Sequence, residues 1–185
     1  MKVIEIDLEK YPVSFRKELA LISKERHVLL ILAHDEDPEV RSGVASNLNT
    51  TEDVFEILLE DDSIEVIKSV AANPNAGERI LLKITEKPYF ESEFELQLII
   101  ALNLNSTEKV LEKVENSPKV EVRIAVANHL NTGKKSLSNL SRDSDPNVRK
   151  AAASNSNTSR EDRIRLRKDP DWRVQKAVWN NKAKK

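Results

Sequence analysis

One apolar position recurs along the whole chain: Val40, Val66, Leu96, Val122, Val148 and Val174. The steps between successive copies are 26, 30, 26, 26 and 26 residues. Four positions later comes a second apolar residue, at Val44, Val70, Ile100, Val126 and Ala152, so each pair lies on one helix face. The next position is small, at Ala45, Ala71, Ala101, Ala127 and Ala153, until Trp179 takes it in the last copy. A different pair, spaced i and i+3, fills the interval: Leu29/Leu32, Phe55/Leu58, Leu81/Ile84, Leu111/Val114 and Leu137/Leu140. The pattern predicts two helices of about 8–10 residues in every repeat, with a turn after each. Helices that short are marginal in water and persist only when neighbouring repeats bury their apolar faces. A fixed period of this length therefore predicts an all-α solenoid of about six 26-residue two-helix repeats.

The polar positions keep the same period. Asn49, Asn75, Asn105, Asn131 and Asn157 form a ladder, read as a structural row that caps the first helix and bonds the backbone between repeats. Glu52, Glu78 and Glu108 follow three residues after their asparagines, where a carboxylate can complete a capping box. Asp37-Pro38 and Asp145-Pro146 open the second helix, since aspartate caps and proline is pre-set for the first helical position. Asp35 with Arg41, and Asp143 with Arg149, are expected to form ion pairs. Phe15, Arg16 and Ala20 echo the repeat one residue out of phase, which predicts a degenerate cap. Residues 3–8 alternate apolar and acidic, and either a strand or an extended cap fits them. One domain is expected over 1–185: a cap at 1–27, repeats at 28–181 with a four-residue insertion near 88–91, and a disordered tail at 182–185.

The stretch 35–49, DEDPEVRSGVASNLN, returns at 143–157 as DSDPNVRKAAASNSN and closes at 169–181 as DPDWRVQKAVWNN. This signature resembles the leucine-rich repeat variant family, which is HEAT-like, over residues 28–181. The resemblance implies a right-handed superhelix in which α and 3₁₀ helices alternate. An iron–sulfur cluster known in that family sits on cysteines. This chain has no cysteine, so the cofactor is not carried over and none is expected.

Aromatic residues make up only 4% of the chain, so its core must be aliphatic. No run approaches the ~18 apolar residues of a membrane span. The opening residues are unlike a signal-peptide core, so a cytoplasmic location is expected. The net charge of −1 conceals an asymmetry, because residues 134–185 hold 15 Lys+Arg against 6 Asp+Glu. Arg142, Arg149, Lys150, Arg160, Arg163, Arg165, Arg167, Lys168, Arg173 and Lys176, together with Trp172, are candidate polyanion contacts, since arginines beside aromatics suit phosphates and bases. Trp179, at a core alanine phase, is expected to cover the last core layer. Tyr89, Phe90 and Phe94 in the insertion are candidate protein contacts. His27, His34 and His129 lack metal-ligand spacing, and His129 stands where other repeats carry asparagine. No catalytic constellation, metal site or small-molecule site is evident. The expected function is a non-enzymatic scaffold for protein–protein interaction, with nucleic-acid or polyanion binding through the basic C-terminal repeats as the alternative. A DNA-repair type of enzyme would need an acid and Trp172 lining one deep pocket.

Overall fold

The computed structural model describes residues 8–182, so the expectations for residues 3–7 and 183–185 lie outside it. Thirteen α-helices, one 3₁₀ helix and no strand are found among the described residues. The chain divides into two compact units, Met1–Ile84 and Thr85–Lys185. The first holds α1 (Val13–Ile22), α2 (Arg26–Leu32), α3 (Pro38–Ser46), α4 (Glu52–Leu58), α5 (Ile64–Ala72) and α6 (Glu78–Thr85), which runs to the boundary. The second holds α7 (Phe94–Leu102), α8 (Glu108–Val114), α9 (Val120–Asn128), α10 (Lys134–Leu140), α11 (Pro146–Ser154), α12 (Arg160–Leu166) and α13 (Trp172–Lys182).

Each unit is an α-solenoid of short and long helices in alternation. In the first unit α1 packs on α3 and α3 on α5; in the second α7, α9, α11 and α13 stack in order. The recurring pairs Val40/Val44, Val66/Val70, Leu96/Ile100, Val122/Val126 and Val148/Ala152 are buried, as are all five alanines that follow them. Burying a valine or leucine contributes about 1.5–3 kcal/mol. Repeated along a stack, that term holds helices too short to persist alone. The short helices are α-helical, with seven or eight residues, where the resemblance implies 3₁₀ helices; the 3₁₀ helix is Leu8–Lys10. The N-terminal cap contains a full long helix, α1. Its Ala20 is fully buried, and Gly43 of α3 comes so close that a Cβ there would meet the Ala20 Cβ at 3.1 Å.

Asp37 and Asp145 cap α3 and α11 as expected, each accepting from the N–H two residues on at 2.7 Å. The asparagine ladder behaves differently. The residue before α4 is Thr51, before α8 Thr107, before α10 Gly133 and before α12 Ser159, so Asn49 and its counterparts lie two positions too early to cap. They are exposed and reach back to carbonyls of the preceding repeat, as Asn75 does to Leu48 at 2.6 Å and Asn157 to Leu130 at 2.7 Å.

The buried ladder is the row two positions earlier: Asn47, Asn73, Asn103, His129, Asn155 and Asn181. Asn47, Asn73, Asn155 and Asn181 each donate Nδ2 to two carbonyls of the repeat before, between 2.7 and 3.0 Å. In Asn47, Asn73, Asn103 and Asn155 the Oδ1 accepts from the N–H two residues on. One amide thus satisfies three backbone groups where long helix turns into short, and an unpaired backbone group there would be costly. Beside it Thr50, Ser106, Thr132 and Thr158 donate their hydroxyls to a carbonyl six residues back, at 2.5–2.6 Å.

His129 replaces the amide imperfectly. Its Nδ1 lies 3.1 Å from the Asn131 N–H and accepts from it, so Nε2 carries the proton and donates to the Asn103 carbonyl at 3.0 Å. A ring nitrogen makes one inter-repeat bond where the amide makes two. His129→Asn is therefore expected to regain a bond, to the Ala101 carbonyl by the repeat geometry, and to raise stability by about 1 kcal/mol in chemical denaturation.

The arginine pairs run between repeats, one step away from the expected partners. Asp35 pairs with Arg16 at 2.7 Å, Arg41 with Asp61 at 2.5 Å, Asp143 with Arg123 at 2.7 Å and Arg149 with Asp169 at 2.8 Å. Arg41 and Arg149 touch Asp35 and Asp143 only through the backbone carbonyl, at 2.6 and 2.9 Å. Each carboxylate also accepts from the N–H two residues on. At the same phase Gln97 and Ser117 form a neutral version. Ser117 Oγ donates to Gln97 Oε1 at 2.7 Å, and Gln97 Nε2 donates to the carbonyls of Phe90 and Glu91.

Candidate interaction surfaces

The C-terminal cations separate into those held by carboxylates and those that are not. Arg149 is held by Asp169, Arg173 by Asp171, and Arg165 by the buried Asp162 at 2.9 Å, with Arg142 further out at 3.5 Å. The Arg173 hydrogen bonds pull the Asp171 carboxyl down to about 2. Of these four arginines only Arg149 is largely buried, and each of the four meets an aspartate. Lys150 and Lys176 stand exposed on long helices, with the Lys176 Nζ 5.7 Å from the ring centre of Trp172. Trp172 is 65% exposed, which is not the deep pocket a repair enzyme would need. Trp179 is 60% exposed, with the Arg167 guanidinium 5.6 Å from its ring centre. It does not cover the last core layer: Ala153, Leu166, Val174, Ala177 and Val178 close that layer without it.

Arg160, Arg163 and Arg167 come together with one cation outside the expected set, Lys134. The four line one groove of about 630 Å³ in the second unit, and no carboxylate lines it. Arg163 is oriented by the carbonyls of Thr158 and Ser156, at 2.8 and 3.1 Å. Its phase elsewhere carries buried apolar residues, Leu29, Phe55, Leu81, Leu111 and Leu137. Lys134 and Arg160 are the first residues of α10 and α12, a phase that carries Arg26 in the first repeat and Glu52, Glu78 and Glu108 in the next three. A cation there opposes the helix dipole, at a cost of about 0.3–1 kcal/mol. Comparing phases instead of counting charges would have found this group in the sequence.

A second groove, of about 580 Å³, runs between α7 and α9. Leu98, Leu102, Leu104, Ile124 and Leu130 line it, with Glu121 as the charged residue among its walls. Leu102, Leu104 and Leu130 are 60%, 81% and 75% exposed. Leu104 and Leu130 sit between the buried and exposed ladder residues, where a side chain cannot reach the core. The triplets Asn103-Leu104-Asn105 and His129-Leu130-Asn131 were the signal for them.

The insertion places its aromatics mostly inward. Phe90 is 2% exposed, Tyr89 and Phe94 are half-buried, and Lys119 Nζ lies 4.8 Å from the Phe94 ring centre. The segment is packing over a longer turn, not a row of free anchors. His34 Nδ1 lies 3.0 Å from the Leu30 carbonyl, and the neighbouring Asp35 is held by Arg16. No group of three His, Cys, Asp or Glu among the described residues is placed to hold a metal ion. No helix among them is long and apolar enough to cross a membrane.

No family model and no curated protein matches the sequence. A solved structure described as "a leucine-rich repeat variant with a novel repetitive protein structural motif" is similar, with a TM-score of 0.67 and 23% identity. The match covers 92% of this chain and 67% of that one. At this identity the likeness is one of fold, and the chain shares the variant's helical-repeat architecture.

Proposed function

We propose that the chain is a non-enzymatic binding scaffold that takes a protein partner on the apolar groove of its second unit. The observation that carries this reading is the exposure of Leu102, Leu104 and Leu130 around one concave site. Solvent-facing leucines gathered at a groove have no role in folding, and such patches mark protein contacts. The partner segment that fits is apolar, with a basic residue opposite Glu121. Charged substitutions at Leu104 and Leu130 should leave the fold within about 0.5 kcal/mol, because neither side chain is in the core. The test is affinity capture from nuclease-treated native extract with wild type and with a Leu104→Asp, Leu130→Asp variant. A protein retained by wild type and lost by the variant is the expected outcome. Capture that the variant does not change, or that nuclease abolishes, overturns the reading.

A further inference from the structure

We infer that the groove formed by Lys134, Arg160, Arg163 and Arg167 binds single-stranded nucleic acid, with Trp179 as a stacking platform at its Arg167 end. This site is separate from the apolar groove and does not depend on that surface having a partner.

Arg163 stands where earlier repeats bury leucine or phenylalanine, and Lys134 opens the short helix of the repeat before it. At the helix position least suited to a cation, Lys134 and Arg160 follow three glutamates, whereas Arg26 at the same phase is paired with Asp53. Departures from local rules without a structural gain are the mark of a binding site.

The groove is chemically matched to phosphate. Lys134, Arg160, Arg163 and Arg167 meet no carboxylate there, whereas Arg149 and Arg173 each pair with an aspartate and Arg142 and Arg165 share Asp162. Arg167 Nε is buried without a hydrogen-bond partner, and its guanidinium lies 5.6 Å from the Trp179 ring centre. The adjoining groove shares Lys134 and adds Lys135 beside Glu108, which extends the cationic track past α10. Arg160 to Arg167 spans about 10 Å of helix, more than one phosphate group covers. A track of separated cations suits a polymer of phosphates better than the single phosphate of a modified peptide. The exposed indole of Trp179 lies under Arg167, and an aromatic beside a cationic groove is the arrangement on which unpaired bases stack.

The test is fluorescence anisotropy of the full chain with labelled 12-nucleotide oligo-dT and oligo-U. Binding should weaken with salt at a log–log slope near −3, about 0.7 for each of four phosphate contacts. Lys134→Glu with Arg160→Glu should lower affinity at least tenfold, and Trp179→Ala at least fivefold. Lys24→Glu with Lys113→Glu makes the same charge change elsewhere and should stay within twofold. Circular dichroism confirms that each variant is folded. The inference is overturned if the two double variants bind alike. It is also overturned if neither oligonucleotide binds while phosphatidylserine vesicles or a phosphoserine peptide do, or if duplex of the same length binds more tightly than the single strands.

Discussion

Asn155→Ala should cost about 3 kcal/mol and lower the unfolding temperature by roughly 6–12 °C, more than any change at the exposed ladder. Asn155 is 6% exposed, and its amide holds the carbonyls of Ala127 and His129, each at 2.9 Å. Its Oδ1 takes the Asn157 N–H at 2.9 Å. Truncation leaves three backbone groups without partners in a turn closed to water, and an unmade buried bond costs about 1–3 kcal/mol. Asn155→Asp should be worse still, because a carboxylate has no donor for the two carbonyls and carries a charge into their field. Asn157→Ala is the internal comparison. That side chain is exposed, water can replace its bonds to Leu130 and Thr132, and a loss under about 1 kcal/mol is expected. Equal losses for Asn155→Ala and Asn157→Ala, by thermal and urea unfolding, would show that the buried row is not what joins the repeats.

The two asparagine rows also show what periodicity can reveal. The period located the helices of the repeats, though not α1 in the cap, because burial imposes one apolar pattern on each copy and the copies reinforce one another. Val40 and its counterparts are buried for the reason the spacing implied. Both amides bond the previous repeat, and which of the two is buried depends on the path of the turn, which residue type does not encode. Asn49 was unbroken along the chain and Asn47 was interrupted by His129, so the exposed row looked the stronger of the two. The partner of Arg41 was hidden for a related reason. Asp35 is near in sequence, but the bidentate contact goes to Asp61, 20 residues on, once α3 and α5 are stacked. Trp179 failed as core because its phase is buried by the next repeat's long helix, and α13 is the last helix described. The basic groove lies within the predicted region, yet four of the predicted cations, Arg142, Arg149, Arg165 and Arg173, meet aspartates and do not line it. Pairing with aspartate is a property of three-dimensional neighbours, and counting charges along the chain cannot detect it.

That pairing makes the second prediction, a difference between a single and a double variant. Asp169→Ser should cost about 2 kcal/mol, while Arg149→Gln combined with Asp169→Ser should cost under about 1. The carboxylate of Asp169 is 6% exposed and meets Arg149 through two bonds at 2.8 and 3.0 Å. Removing one partner strands the guanidinium, which is only 15% exposed, and breaking such a pair is costly. Replacing both partners restores the arrangement the protein already uses at Gln97 and Ser117, 20 residues apart like Arg149 and Asp169. The pH dependence provides an independent check. The Arg149 hydrogen bond, against the opposing effect of burial, holds Asp169 below its ordinary value of 3.8. Burial would raise Asp61 and Asp143, but their arginines and backbone N–H groups outweigh it and lower them too. The unfolded chain takes up these protons first as pH falls, so the stabilisation is complete above the ordinary carboxylate value. It is then lost as pH drops below 3.8 through the lowered native values. The double variant should therefore show a shallower acid limb than wild type, with unchanged helicity at neutral pH. If the single and double variants lose the same stability, the stranded guanidinium carries no cost and the neutral pair does not restore the link between these repeats.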